Sequence, residues 1–227
     1  MATLATLRDR VRQRSDMEQK EGFISDSELN QYISDSYAEL YDLLVSRFED
    51  YYVADPLEFS ISSGSTYALP SDFYKILGLD RALSGTEYYT VRPFVFEDRN
   101  RRRIADRLRG VYPQVRYRIV GDNIRISPED QATGDYRLWY VPSHTALSSD
   151  SDTVDSIVTR NGWEEYIIVD ASIKCLQKEE SDVSVLFAQK QDLIKRIEEM
   201  AQNRDAGETD RITDVTMSGY DDPYFFG

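Results

Sequence analysis

One cysteine, Cys175, and one histidine, His144, occur in 227 residues. That scarcity puts a disulfide framework, a Cys/His zinc site and a Cys-His or Ser-His-Asp catalytic set supported by a second histidine out of reach. What remains is a site built from oxygen ligands alone, or no active site. Long apolar runs are also missing. The longest clean one, Tyr166 to Val169, falls far short of the roughly 18 to 20 residues a membrane span needs, so a soluble chain with no membrane partner is expected. The first residues, MATLATLRDRVRQR, lack the apolar stretch and small-residue cleavage site of a secretion signal. Arg8, Arg10, Arg12 and Arg14 have a transit-peptide flavour, but Leu4, Leu7 and Val11 fall at helical spacing and predict an ordinary amphipathic helix. Basic residues are in short supply too. The 27 Lys and Arg face 41 Asp and Glu, a net charge of −14 that repels nucleic acid and anionic membranes unless the cations are segregated.

What is present reads as helices, then strands, then helices. In Phe23-Ile24-Ser25-Asp26-Ser27-Glu28-Leu29, Ser25 and Glu28 make a capping box and Ile24 can staple onto Leu29. Leu29, Ile33, Tyr37, Leu40, Leu44 and Phe48 then recur at helical intervals and predict a helix of about 25 residues. Trp163, Tyr166, Val169, Ile173 and Leu176 mark a second helix after Asn161-Gly162. Val183, Leu186, Phe187, Ile194, Ile197 and Met200 mark a third, close enough to form a hairpin with it. Between these ends, period-2 alternation dominates. Leu57 to Ile61 and Tyr67 to Leu69 flank a Gly-containing turn and read as a hairpin, followed by strands over 75–82, 87–92, 114–120, 123–127 and 135–141. The expected fold is α+β: a helical bundle formed by the N- and C-terminal thirds, an inserted small antiparallel β domain, and an extended C-terminal tail. The expected parts are residues 1–52, the first half of the bundle; 53–156, the β insert with an Arg-rich helix; 157–203, the second half; and 204–227, the tail.

The charge is polarised along the chain. Residues 1–14 carry +3, 15–80 carry −11, 81–125 carry +6 and 126–227 carry −12. The basic insert includes a helix expected over Pro93 to Leu108, with Arg99, Arg101, Arg102, Arg103, Arg107 and Arg109 on or just beyond it. Pairing with acidic surface in the same chain or a neighbouring copy is one reading of these arginines; phosphate contact and a merely solvated face are the others. The C-terminal segment loses helical periodicity yet ends in aromatic residues: Tyr220, Pro223, Tyr224, Phe225 and Phe226 are expected to anchor on a partner and fold on binding. Glu164-Glu165 and Glu179-Glu180 are adjacent on helices, where neighbours do not face each other, and read as solvated faces. Asp150, Asp152 and Asp155 resemble the start of a calcium loop, but lack the Gly and Glu that would complete it. Cys175 reads as a small buried residue.

The order of these pieces resembles the head-to-tail adaptor, or connector, proteins of tailed bacteriophages. The pieces are Phe23 to Leu29, Tyr67-Ala68-Leu69-Pro70-Ser71-Asp72-Phe73, Asn123-Ile124-Arg125-Ile126-Ser127-Pro128, Leu138-Trp139-Tyr140-Val141-Pro142 and Trp163-Glu164-Glu165-Tyr166-Ile167. The resemblance covers roughly residues 4 to 202. The Arg-rich helix is longer and more basic than the family pattern, and the aromatic tail has no counterpart in it. The resemblance implies a structural virion protein, not an enzyme, without cofactor or metal. It implies a homo-oligomeric ring, commonly of twelve copies, beneath the portal protein and joined to tail or nozzle proteins. Genomic DNA would pass through its channel, and assembly would occur in the host cytoplasm. A DNA-binding module using the basic insert is the competing function.

Overall fold

The computed structural model describes residues 2–18, 23–95 and 115–202. Five α-helices lie among them: α1 (Leu4–Arg14), α2 (Asp26–Arg47), α3 (Ser156–Arg160), α4 (Glu164–Lys178) and α5 (Ser184–Gln202). Helix α2 starts where its cap dictates, since the Ser25 hydroxyl accepts from the Glu28 amide at 3.2 Å and Ile24 and Leu29 are both buried. Only half of the expected capping box forms. The Glu28 carboxylate instead accepts from Lys178 Nζ at 2.7 Å and from the Tyr32 hydroxyl at 2.8 Å. The apolar stripe of α2 packs with Leu4, Leu7 and Val11 of α1, Ile167, Ala171 and Cys175 of α4, and Ile197 of α5 in one core. At roughly 25 cal/mol per Å2 of apolar surface buried, such a stripe stabilises a helix far more than its intrinsic propensity does.

Three helices end in the same device. The amide two residues past the C-cap reaches back to the third-last helical carbonyl, and the residue between them takes a left-handed conformation. After α1 these are Met17 to Arg12, with Asp16 at φ 53°; after α3, Trp163 to Val158, with Gly162 at φ 68°; after α4, Ser181 to Leu176, with Glu180 at φ 60°. Two of the three stops thus use an acidic residue where glycine is the unstrained choice.

Seven strands form a single sheet: β1 (Leu57–Ile61), β2 (Thr66–Ala68), β3 (Phe73–Ser84), β4 (Glu87–Pro93), β5 (Arg116–Val120), β6 (Asn123–Ser127) and β7 (Gly134–Pro142), in the order β1-β7-β3-β4-β5-β6-β2. The expected hairpin of β1 with β2 does not form. β1 pairs with β7 and β2 with β6, so the two strands are the opposite edges of the sheet. They are nevertheless joined by four residues, 62–65, and the Phe59 and Tyr67 rings stack across the gap at 3.9 Å. A sheet whose first and last strands are held that close is rolled and nearly closed.

This sheet overturns the expectation of a helical bundle carrying a small inserted antiparallel β domain; the fold is a mixed α/β structure in which the rolled sheet is a principal part. It has its own core, with Phe59, Leu79, Val91, Tyr117, Ile124, Ile126, Tyr136 and Leu138 buried inside. Nor is it wholly antiparallel. β4 and β5 pair in parallel at Arg92–Arg116 and Pro93–Tyr117, which the long connection between them permits. Pro93, expected to open a helix, is the last residue of β4, and Phe94 and Val95 after it are not helical; residues 96–108 of that expected helix and the tail lie outside the described residues. Helices and sheet are continuous through Tyr41, Val45 and Val141, and the Tyr41 hydroxyl donates to the Pro142 carbonyl.

Candidate functional site

Among the described residues no group of three or more His, Cys, Asp or Glu is placed to hold a metal ion. Cys175 is a buried thiol whose pKa is pushed up to about 11 by burial, the opposite of nucleophile activation. His144 packs against the Tyr37 and Tyr41 rings, each with centroids 5.6 Å away, at the joint between helices and sheet. Asp155, one of the three aspartates of the incomplete calcium loop, accepts from the Tyr37 hydroxyl at 2.6 Å. Asp152 caps its own turn by accepting from the Ser148 and Ser149 amides, which hold its carboxyl below its usual range.

The chemistry on offer is therefore that of surfaces, and it is set by where the charges go. The four arginines of α1 are engaged inside the chain. Arg8 pairs with Asp150 at 3.0 Å, Arg10 with Glu164 at 2.7 Å and Glu165 at 3.2 Å, and Arg14 with Glu165. Arg12 is buried and donates to the Met17 and Ile24 carbonyls and, at 2.8 Å, to Asp26. This corrects the reading of Glu164-Glu165 as a solvated face: both sit in the first turn of α4, where the helix dipole favours anions, and both meet α1.

A second knot lies between α2, α4 and α5. Asp170, 3% exposed, accepts from Lys190 at 2.6 Å and from the Ser36 hydroxyl at 2.6 Å, and pairs with Lys174 at 2.8 Å; Glu39 bridges the same two lysines at 3.0 and 3.1 Å. Burial alone would raise the Asp170 carboxyl, but hydrogen bonds from Lys174, Lys190 and Ser36 bring it below its ordinary value.

The sheet carries the opposite charge. On β5 and β6 the inward residues are Tyr117, Ile124 and Ile126, so Arg116, Arg118 and Arg125 stand on the outer face; Arg92 lies outside Val91 on β4. The register places Arg118 directly opposite Arg125, and Arg92 beside Arg116. The +6 of this region is plain in the sequence, but the expected site residues there are Arg99 through Arg109. The alternation of Arg116, Arg118 and Arg125 with buried residues was the signal for a basic sheet face. A polar groove of about 510 Å3 opens elsewhere, between β1, the β3–β4 turn and β7, with Arg81, Glu58, Asp135 and Tyr88 on its walls.

The expected site residues Arg99, Arg101, Arg102, Arg103, Arg107 and Arg109, and Tyr220, Pro223, Tyr224, Phe225 and Phe226, lie outside the described residues. Pieces of the adaptor-like order within them are brought together as joints of the scaffold. Tyr67 pairs with Ile124, Tyr140 donates to Asp72 at 3.3 Å, the Ser143 amide donates to the Asp72 carbonyl, and Lys178 donates to the Phe23 carbonyl.

A family model described as SU10 adaptor protein matches residues 2–215, and so spans the helices and the whole sheet but stops short of Tyr220. No curated protein matches the chain.

Proposed function

The chain belongs to the SU10 adaptor protein family, a phage head-to-tail adaptor family, and from that membership we propose a ring beneath the portal that joins it to tail or nozzle proteins and lets DNA pass. The family is structural, and it implies a place in the virion and contact with other capsid or tail components. The match over residues 2–215 carries the reading.

In the proposed assembly, about twelve copies close into a ring. The helical segments within 1–52 and 157–203 make its wall, and their acidic surface lines a channel along which DNA slides without sticking. The segment 204–227 clamps the portal through Tyr220, Pro223, Tyr224, Phe225 and Phe226. Arg99, Arg101, Arg102, Arg103, Arg107 and Arg109, within 53–156, face a neighbouring copy. Assembly takes place in the host cytoplasm. The ion pairs that lock α1 to α4 support a rigid wall, because they join segments more than 150 residues apart in sequence.

Native mass spectrometry of the full chain, alone and with the portal ring, tests this reading. A defined multimer seated on the portal is expected, and no association overturns it. Deleting 219–227 is expected to abolish co-sedimentation with the portal without unfolding the chain; unchanged co-sedimentation removes the tail from the proposal. Replacing Arg101, Arg102 and Arg103 by Ser is expected to weaken ring assembly. Intact assembly with loss of DNA retention would favour the DNA-contact alternative.

A further inference from the structure

We propose that, before the portal is met, the segment 220–226 docks in the groove at the far end of its own sheet, with Asp221 and Asp222 on Arg81 and the aromatic residues over Leu83 and Tyr88. Its role rests on the portal-clamp reading above, which it places under competition from the chain itself.

The groove, about 510 Å3 and within the size range of ligand pockets, takes in Gly134, the first residue of β7, whereas α2 reaches the sheet at Pro142, the last. It therefore opens away from the helices. Arg81 is the cation in it, and it meets no carboxylate among the described residues: it donates to the Thr133 carbonyl at 2.6 Å and the Tyr89 hydroxyl at 3.4 Å, both neutral. The guanidinium lies over the Tyr136 ring at 5.7 Å and so near Gly134, at φ 152°, that a Cβ there would come within 3.0 Å of Nε. Its place is thus built by its neighbours. The guanidinium fork has more donors than these contacts use, and it matches a carboxylate in two bonds at once.

The carboxylates already on the walls are spoken for. Glu58 pairs with Arg137 at 2.7 Å, and Asp135 accepts from the Ser60 hydroxyl at 2.6 Å. Beside Arg81, Leu83 falls where the β3–β4 register shifts and is 56% exposed, while the Tyr88 ring carries the Arg137 guanidinium at 3.9 Å. An acid followed by aromatic rings fits this order of groups, and Asp221-Asp222-Pro223-Tyr224-Phe225-Phe226 supplies it.

The helices deliver the segment to the correct side. α5 runs alongside α2 in the same direction, because Lys190 meets Glu39 and, further along both, Glu198 meets Arg47. Gln202 accordingly lies at the end of α2 from which the chain passes through Glu49–Tyr52 into β1, one wall of the groove. Residues 203–219 reach about 55 Å when extended. The nine residues of β7, from the helix end of the sheet to the groove, span about 30 Å. A tether with that slack holds its end at roughly millimolar effective concentration, so a weak contact is populated without a second copy. The segment lies beyond the family match, which stops at residue 215.

Hydrogen exchange of the full chain, read by mass spectrometry, tests the contact. Amides of 220–226 should exchange about tenfold more slowly than in the free peptide of that sequence, as a Kd of about 0.1 mM gives at millimolar effective concentration. Asp221→Asn with Asp222→Asn, Leu83→Ser and Arg81→Gln should each remove the slowing. Thermal unfolding checks the last two variants for folding, and the aspartate pair changes no residue of the described core. An unprotected segment in the wild-type chain, or protection that survives the aspartate pair, overturns the contact. Protection that grows with chain concentration overturns it in favour of a second copy. Freed of its competitor, the Leu83→Ser chain should bind the portal ring about tenfold more tightly, since a docked tail lowers the competent fraction by that factor. Equal portal affinity overturns the competition. If no variant binds the portal while protection still depends on Arg81, the contact stands and the portal clamp fails.

Discussion

Lys190 of α5 donates to the buried Asp170 of α4 across 2.6 Å, and this ion pair joins the last described helix to the rest of the core. Much of the outward face of α5 is polar, but Val185 and Met200 are also exposed on it, so burial of its apolar side is incomplete. The charged knot therefore sits where the helix is anchored.

Asp170→Asn removes the anion but leaves two lysines and Glu39 around the site. Breaking a buried pair by deleting one partner costs about 3 to 5 kcal/mol, toward the lower end where one lysine keeps contact with solvent. A fall of that size in urea-unfolding free energy is expected, together with increased hydrogen exchange across 184–202. Unchanged stability would show that solvent already screens the knot.

The pH dependence follows from the same pair. The folded Asp170 carboxyl titrates below its unfolded value, so its contribution is complete above about pH 4 and is lost as pH falls through the lower folded value. For Lys190, burial opposes the charged form but Asp170 and Glu39 outweigh it and raise the ammonium; its contribution is complete below about pH 10 and is lost above. Thermal midpoints should be flat between these limits and fall on both sides. The acid limb should be shallower in Asp170→Asn.

Arg12 closes the end of α1 from inside by holding two carbonyls and a carboxylate. Arg12→Met keeps the volume but abandons the Met17 and Ile24 oxygens, at about 1 to 3 kcal/mol for each buried group left unsatisfied. Arg12→Lys should recover only part of the loss, because one ammonium cannot reproduce the guanidinium fork. Denaturant midpoints of the two variants measure the difference.

The helix stops offer a test with opposite signs. Glu180→Gly relieves a left-handed residue whose side chain is exposed and should raise stability by about 1 kcal/mol. Gly162→Ala should lower it by a similar amount, even though nothing lies within 4 Å of the added methyl, because the strain is in the backbone. Equal effects of the two changes would contradict this account.

The helices were legible because their signals are local. The Ser25 cap, the apolar stripe from Leu29 to Leu44 and the helical spacing from Tyr166 to Leu176 act within a turn or two, and the strand alternation from Leu57 to Val141 acts between next neighbours. The adaptor resemblance rested on the order of such local pieces, and the family match over 2–215 agrees with it.

Sequence by itself therefore determined the long helices α1, α2, α4 and α5, most of the strands and how charge is distributed along the chain, but not the short helix α3 or the placing of Pro93 at the end of β4. Tertiary structure decided what meets what. Arg10 finds Glu164 across 154 residues, and β1 finds β7 in preference to its neighbour β2, because pairing depends on which faces remain to be buried once the sheet has rolled. It also turned a stretch of net +6 into a face, since only the register sets Arg118 opposite Arg125 and leaves both outside a core of Tyr117, Ile124 and Ile126.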